Sequence, residues 1–468
     1  MPRQTLNKKR PRSLFLDTTG AISINILHEG LKRLKPTQIL AVGFASLIIV
    51  GAFLLSLPAA AKSGESIGLL NALFTATSAV CVTGLTVIDT NAFSLFGQIV
   101  ILILIQIGGL GIMTMATFIF LLLGKKITLR DRLVMQEALN QLTLSGLVKL
   151  TRQILLLAFV LEGLGALLFI YRFTKYFDFG QSLYYGLFHG VSSFTNSGFD
   201  VVGFGSLAPF IEDPIINIVT MFLNECGGLG FTVIYDIVST RNFKRLSLHS
   251  KVVLTMTLIL MLLGCIMFYT LEWNNPSTLG RLTPSGKMQA AAFHSVSTRT
   301  SGFNTFSLED LTTPAKYLSI FLMFIGSSPA STGGGIKTST FALIIVTIYT
   351  VMVSKEDVEI FNRRISTDNI FKAVVIAIVS ALLIFVSSFI LTITEQADFL
   401  PIFFEATGAY STVGLSLGIT QRLTDYGKYI IILTMFTGRL GPLTLAMALG
   451  SQRKKALRKF PEGRILIG

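Results

Sequence analysis

Long uncharged apolar runs alternate with short polar segments from residue 38 to residue 450. Ile39 to Leu57, Val252 to Leu271 and Ala373 to Thr394 hold no charged residue. Each approaches or exceeds the roughly 20 residues that a helix needs to cross a bilayer core. Eight spans of this kind are predicted, in pairs: 38–58 with 97–123, 153–171 with 215–238, 252–271 with 317–352, and 372–394 with 429–450. Hydrophobic residues make up 51% of the chain and charged residues 14%, far from the roughly one quarter charged that is usual in soluble domains. The pattern predicts an all-α polytopic membrane protein.

Within each pair lies a Ser/Thr-rich segment that ends on one glycine: Phe74 to Leu85 (FTATSAVCVTGL), Phe188 to Phe199 (FHGVSSFTNSGF), Phe293 to Phe303 (FHSVSTRTSGF) and Phe404 to Leu415 (FEATGAYSTVGL). The glycines, Gly84, Gly198, Gly302 and Gly414, are 114, 104 and 112 residues apart, so the chain reads as four copies of one unit. These segments are too short to cross a membrane and too polar to face lipid. They fit re-entrant pore helices followed by extended strands, which membrane depth tolerates only inside protein or beside water. The candidate filter strands are Val82, Thr83 and Gly84; Asn196, Ser197 and Gly198; Thr300, Ser301 and Gly302; Thr412, Val413 and Gly414. Grouped about one axis, the carbonyls at the four glycines form a ring able to replace the water shell of a small cation. The fold expected is eight transmembrane helices arranged as four M1-P-M2 pore-loop repeats around one pore: 37–124, 150–240, 250–353 and 370–450, flanked by a basic N-terminus (1–36) and a basic tail (451–468). Two crossings per unit bring all four loops in from one side, unlike inverted-repeat transporters.

A second glycine motif marks the later span of each unit: GGLGIMT, GGLGFTV, TGGGIKT and GRLGPLT, aligned on Gly111, Gly230, Gly335 and Gly441. Glycine there removes the side chain and loosens the helix, allowing close backbone approach or a break; in the first two units close helix packing is the plainer explanation. The third is different. Tyr317 to Met352 spans 36 residues, about 54 Å as a continuous helix against a bilayer core of about 30 Å. Gly326, Ser327, Ser328, Pro329, Ala330, Ser331, Thr332, Gly333, Gly334 and Gly335 cannot sustain a helix. This stretch, with Lys337 beside it, is read as a gate beneath the filter. Lys337, Arg439 and Glu225 fall at similar depth in the aligned units, and charges inside a membrane are costly and by default functional. Arg439 is expected to brace pore-helix or gate carbonyls, with an electrostatic barrier to ion passage as a second role and Glu225 as one candidate partner; Glu162 reads as a packing or interface residue rather than an ion site.

The net charge of +14 is concentrated in the segments that join the units and at the two ends, a positive-inside distribution that places both termini in the cytoplasm of a multi-pass cell-membrane protein. Nucleic acid is not the expected partner. The opposite side carries acids, among them Asp89, Asp200, Glu212, Asp213, Glu309, Asp310 and Asp425, which concentrate cations. Cys81, Cys226 and Cys265 show no ligand or disulfide spacing, and no convergent His, Ser or carboxylate set suggests an enzyme. No phosphate-binding loop is present, so a nucleotide regulator would be a separate chain.

The segments ending VTGL, NSGF, TSGF and TVGL, the GSSPASTGGGIKT stretch and the basic residue in GRLGPLT together resemble the Trk/Ktr/HKT superfamily of potassium-translocating membrane proteins, and within it the bacterial Ktr-type subunit. The resemblance covers nearly the whole chain after about residue 35. It implies potassium as the transported ion at the Gly84, Gly198, Gly302 and Gly414 carbonyl ring, an intramembrane gate at Gly326 to Gly335, and Arg439 below the filter. It also implies a homodimer docked on a cytosolic ring of RCK-type nucleotide-binding regulators, with no covalent cofactor. Glycine at all four positions resembles the potassium-selective pattern. No loop carries TVGYG and the third is one residue shorter, so sodium, as coupled or permeant ion, stays open. The alternatives are a non-selective monovalent cation (Na/K) transporter of the same family and a non-conducting membrane scaffold.

Overall fold

The computed structural model describes residues 35–112, 114–117, 127–138, 146–203 and 205–449; the basic N-terminal segment up to residue 34 and the tail after residue 450 lie outside them. Each unit begins with a long apolar helix: α1 (Pro36–Ser56), α5 (Leu147–Phe173), α9 (Leu248–Glu272) and α13 (Thr367–Thr394). These four are long and apolar enough to cross a membrane unbroken. Their outer faces expose Ile49, Phe53, Leu156, Leu167, Ile266, Phe385 and Phe389, side chains that only a lipid environment accommodates in such numbers.

The short polar segments are helices that enter and stop: α2 (Leu69–Cys81), α6 (Phe179–Thr195), α10 (Pro284–Thr300) and α14 (Phe399–Tyr410). Their starts follow from local chemistry. Asp178 accepts hydrogen bonds from the Gly180 and Gln181 amides, and Thr283 from that of Gly286, supplying acceptors for amides that a helix leaves unpaired.

The second spans are not continuous helices. α3 (Leu95–Leu110) stops at Gly111, α7 (Pro214–Gly228) is bent by 99° from α8 (Phe231–Thr240) at Gly230, and α15 (Asp425–Leu440) meets α16 (Pro442–Leu449) at Gly441. The three glycines have φ of 87°, 90° and 80°, the region where a side chain is strained and glycine is not. The packing explanation of the first two motifs is therefore incomplete: these glycines break the backbone. In the third unit α11 (Thr313–Ile325) and α12 (Thr338–Met352) are separated by the whole irregular stretch 326–337. Between α3 and α5 lies α4 (Leu129–Ala138), and the third and fourth units are joined through a hairpin of β1 (Glu359–Ile360) and β2 (Arg363–Arg364), a small exception to the all-α expectation.

Packing closes the four units into a circle. Each pore helix sits against the first helix of its own unit, and each second span lies against the pore helix of the next: α3 on α6, α7 on α10, α11 on α14, and α15 back on α2. The centre of that circle holds the four glycine loops.

Candidate ion pathway

The turn out of each pore helix is written in its last residues. Val82 (φ 58°) and Asn196 (φ 60°) take left-handed conformations at the ends of α2 and α6, and Thr412 (φ 50°) does so just after α14. For β-branched Val and Thr this is an uncommon backbone state. It is held by amide bonds back to the helix: Thr83 to the Ser78 carbonyl at 2.8 Å, Ser197 to Ser192 at 2.9 Å and Val413 to Gly408 at 2.9 Å, the C-terminal capping pattern of a helix closed by a left-handed residue. The third unit lacks it. Thr300 is still helical and Ser301 continues the helical pattern to the Ser297 carbonyl at 3.0 Å, which is where the missing residue of that loop is absorbed. The extended strands are thus shorter than the sequence suggests: Val82, Asn196 and Thr412 turn the chain, and the non-helical run begins at Thr83, Ser197, Gly302 and Val413.

The side chains of Val82, Thr83, Asn196, Ser197, Thr300, Ser301, Thr412 and Val413 are all buried, as are Leu85, Phe199, Phe303 and Leu415, while the four glycines between them remain partly accessible. Exposed loop turns would show the reverse. The glycines also face one another's loops in rotation. A Cβ on Gly84 would meet the Ser197 carbonyl oxygen, on Gly198 the Ser301 carbonyl oxygen, on Gly302 that of Val413, and on Gly414 that of Thr83. The sequence of contacts runs from unit one to four and returns to one. It is a closed ring in which each glycine packs against a main-chain oxygen of the next loop. Thr83 Oγ1, Asn196 Oδ1, Ser411 Oγ and Thr412 Oγ1 are buried there without a hydrogen-bond partner among the described residues, a concentration of free oxygen acceptors that a bound cation or water would satisfy.

Stretch 326–337 packs directly against the inner ends of the pore helices. A Cβ on Gly334 would meet the Ser411 carbonyl and Thr412 side chain, and Asn196 Nδ2 donates to Thr332 Oγ1 at 2.7 Å. The stretch docks on the break in the second unit: the Ser328 amide bonds the Gly228 carbonyl at 3.0 Å, the Thr332 amide the Gly227 carbonyl at 3.2 Å, and the Phe231 amide the Ala330 carbonyl at 2.9 Å. Lys337 Nζ donates to the Gly333 carbonyl at 2.7 Å, and to the Gly334 carbonyl and Ser327 Oγ at 3.3 Å. On the other side lies a cavity of about 420 Å³ lined in part by Phe44, Ala330, Ser331, Gly335, Lys337 and Arg439.

Arg439 occupies the position that Gly109 and Gly228 hold in the first two units. Its guanidinium donates to the carbonyls of Thr332, Gly108 and Gly109, joining the third unit's irregular stretch to the first unit's second span. Glu225 is elsewhere: it receives Arg299 Nη1 at 3.0 Å. The suggestion that Glu225 neutralises Arg439 is therefore corrected, because the residue that reaches Glu225 is the one buried cation in the FHSVSTRTSGF segment. Nothing in composition singles out Arg299; its position three residues before Gly302 is the signal the sequence carries. Glu405, whose signal in the sequence is its place beside Phe404 in the fourth polar segment, is buried in α14 and accepts from Ser416 Oγ at 2.6 Å and Thr420 Oγ1 at 2.5 Å, fastening the outer strand of the fourth loop. Glu162, expected to be a packing residue, is buried and accepts both hydrogen bonds from Gln106 Nε2, at 2.9 and 3.1 Å.

The family described as TrkH, cation transport protein, matches residues 29–454. The chain belongs to this family. Among TrkH-family relatives it is 42% identical to Ktr system potassium uptake protein B of Bacillus subtilis (strain 168), over 93% of this chain and 97% of the relative. It is 40% identical to the protein of that name in Vibrio alginolyticus, over 92% and 94%, and 38% identical to the potassium/sodium uptake protein NtpJ of Enterococcus hirae, over 93% and 98%. Its fold is shared with the crystal structure of the potassium transporter TrkH from Vibrio parahaemolyticus, with a TM-score of 0.70 at 19% identity, covering 88% of this chain and 84% of that one. The protein is a multi-pass membrane transporter of the TrkH family and not an enzyme.

Proposed function

We propose that this chain is the ion-translocating membrane subunit of a potassium uptake system. The observation that carries the reading is the closed rotation of Gly84, Gly198, Gly302 and Gly414 against the carbonyls of Ser197, Ser301, Val413 and Thr83. A ring of this kind replaces a cation's hydration shell with fixed oxygen dipoles. Val82 to Gly84, Asn196 to Gly198, Thr300 to Gly302 and Thr412 to Gly414 form the filter segments. Potassium is supported by the names of the Bacillus and Vibrio relatives, and sodium as a second ion by that of the Enterococcus one.

Gly326 to Gly335 acts as the gate, with Lys337 pinning its carbonyls and Arg439 tying Thr332 to the first unit. Contacts of the stretch with the inner ends of the pore helices, and the cavity on its other side, support this placement. The word "system" in the relatives' names and the basic connections support a regulated assembly: a homodimer in the cell membrane, both termini cytoplasmic, on an RCK-type nucleotide-binding ring. Isotope flux of rubidium as potassium surrogate into proteoliposomes, with and without sodium and regulator, tests the reading. Selective uptake is the expected result; no uptake by intact reconstituted protein overturns it.

A further inference from the structure

Arg299 is 1% exposed and lies at the inner end of α10, three residues before Gly302. A full positive charge this close to a cation's path repels the ion unless it is cancelled, and a buried charge left unpaired is costly. Glu225 is its salt-bridge partner among the described residues, at 3.0 Å, and it comes from a different unit. Glu225 also stands two residues before Gly227. The carbonyls of Gly227 and Gly228 and the amide of Phe231 are the groups on which the irregular stretch docks, through Thr332, Ser328 and Ala330. One ion pair thus spans from the third filter loop to the shelf beneath the gate. The C-terminal end of α10 also favours the guanidinium through the helix dipole, while Arg299 Nε is buried without a hydrogen-bond partner among the described residues, which leaves Glu225 as the group that cancels the charge.

We infer that Arg299 and Glu225 are positioning residues for transport: a charge-neutral strut that holds the third filter loop and the docking shelf of the gate in register while keeping the guanidinium's field off the ion. The inference rests on the proposed function, and it assigns selectivity to two residues that line neither the ring nor the gate. Its signature is dependence on charge balance rather than on either side chain alone.

The test compares wild type, E225Q, R299Q and the double variant E225Q/R299Q in proteoliposomes, reading rubidium uptake and its inhibition by sodium, with gel filtration as the check on folding. Wild-type uptake tests the proposed function, so its absence condemns that reading and not the strut. E225Q leaves the guanidinium uncompensated and is expected to lower uptake about tenfold or more, whereas the double variant, neutral at both positions, recovers to within about threefold of wild type. E225Q within about twofold of wild type, or a folded double variant no better than the worse single one, overturns the inference. Should the neutral single variants fail to assemble, R299K and E225D carry the test. Both keep their charges and are expected to retain sodium discrimination; its loss in either folded variant contradicts the strut.

Discussion

The Thr83 carbonyl oxygen faces the α-carbon of Gly414, in the space a Cβ would occupy, so residues from the first and last loops of the chain complete one ring. The same relation holds between Gly302 and Val413. Any side chain at these glycines must displace a carbonyl of the neighbouring loop. Replacing Gly302 with Ser is expected to reduce potassium-over-sodium discrimination about tenfold or more while leaving extraction and gel filtration unchanged. Competition of sodium against rubidium uptake measures it, and unaltered discrimination in a folded variant removes Gly302 from the filter.

The irregular stretch is fastened by Lys337 to its own carbonyls and by Arg439 to the first unit. If the stretch is the proposed gate, its closure depends on those bonds. Deleting Ser328 to Ser331, or replacing Arg439 with Gln, is expected to raise basal flux several-fold without regulator. Stopped-flow or isotope uptake distinguishes this from a brace needed only for folding, which would lower flux together with the yield of monodisperse protein.

Exchanging Glu225→Arg with Arg439→Glu is expected to give no rescue, since each residue has a different partner. Arg439 bonds carbonyls, and Glu225 bonds Arg299. Restored uptake in that double exchange would mean the two charges meet in a state other than the one described.

Outside the spans, Asp213 links the entrance of α7 to α5: its carboxylate accepts from Arg172 Nε at 2.6 Å, Tyr176 Oη at 2.8 Å and the Ile216 amide at 3.3 Å. Burial by itself raises this carboxyl, but the hydrogen bonds from Arg172, Tyr176 and Ile216 outweigh it and hold the group below the usual carboxylate range. A depressed folded pKa contributes stability above the unfolded value of about 3.9, lost as pH falls through the folded value. D213N is expected to lower the melting temperature of detergent-solubilised protein at neutral pH and to flatten its decline toward acid. Parallel acid limbs for the two proteins would show that Asp213 does not contribute.

Much of this organisation is legible in the chain because it is periodic or compositional. Four glycine loops at spacings of 114, 104 and 112 residues need only alignment to be seen, and Gly326 to Gly335, rich in glycine and interrupted by Pro329, cannot sustain a helix. The family resemblance adds the expectation of one pore per chain. Other features depend on tertiary reach. Arg299 and Glu225 are 74 residues apart, and nothing local tells Arg299 from a solvated arginine except its place beside Gly302. At Gly111 and Gly230 the sequence leaves packing and interruption both open, because glycine serves the two equally well. Only the conformation at those positions separates the two.

The central claim is that main-chain oxygens at Gly84, Gly198, Gly302 and Gly414 hold a dehydrated monovalent cation. A high-resolution map of protein prepared in rubidium, with anomalous scattering to identify the ion, tests it most directly. The account predicts rubidium on the axis of the four loops, ringed by their carbonyls and at lower occupancy in G302S. An axis without rubidium, or rubidium bound only by side chains elsewhere, would contradict it.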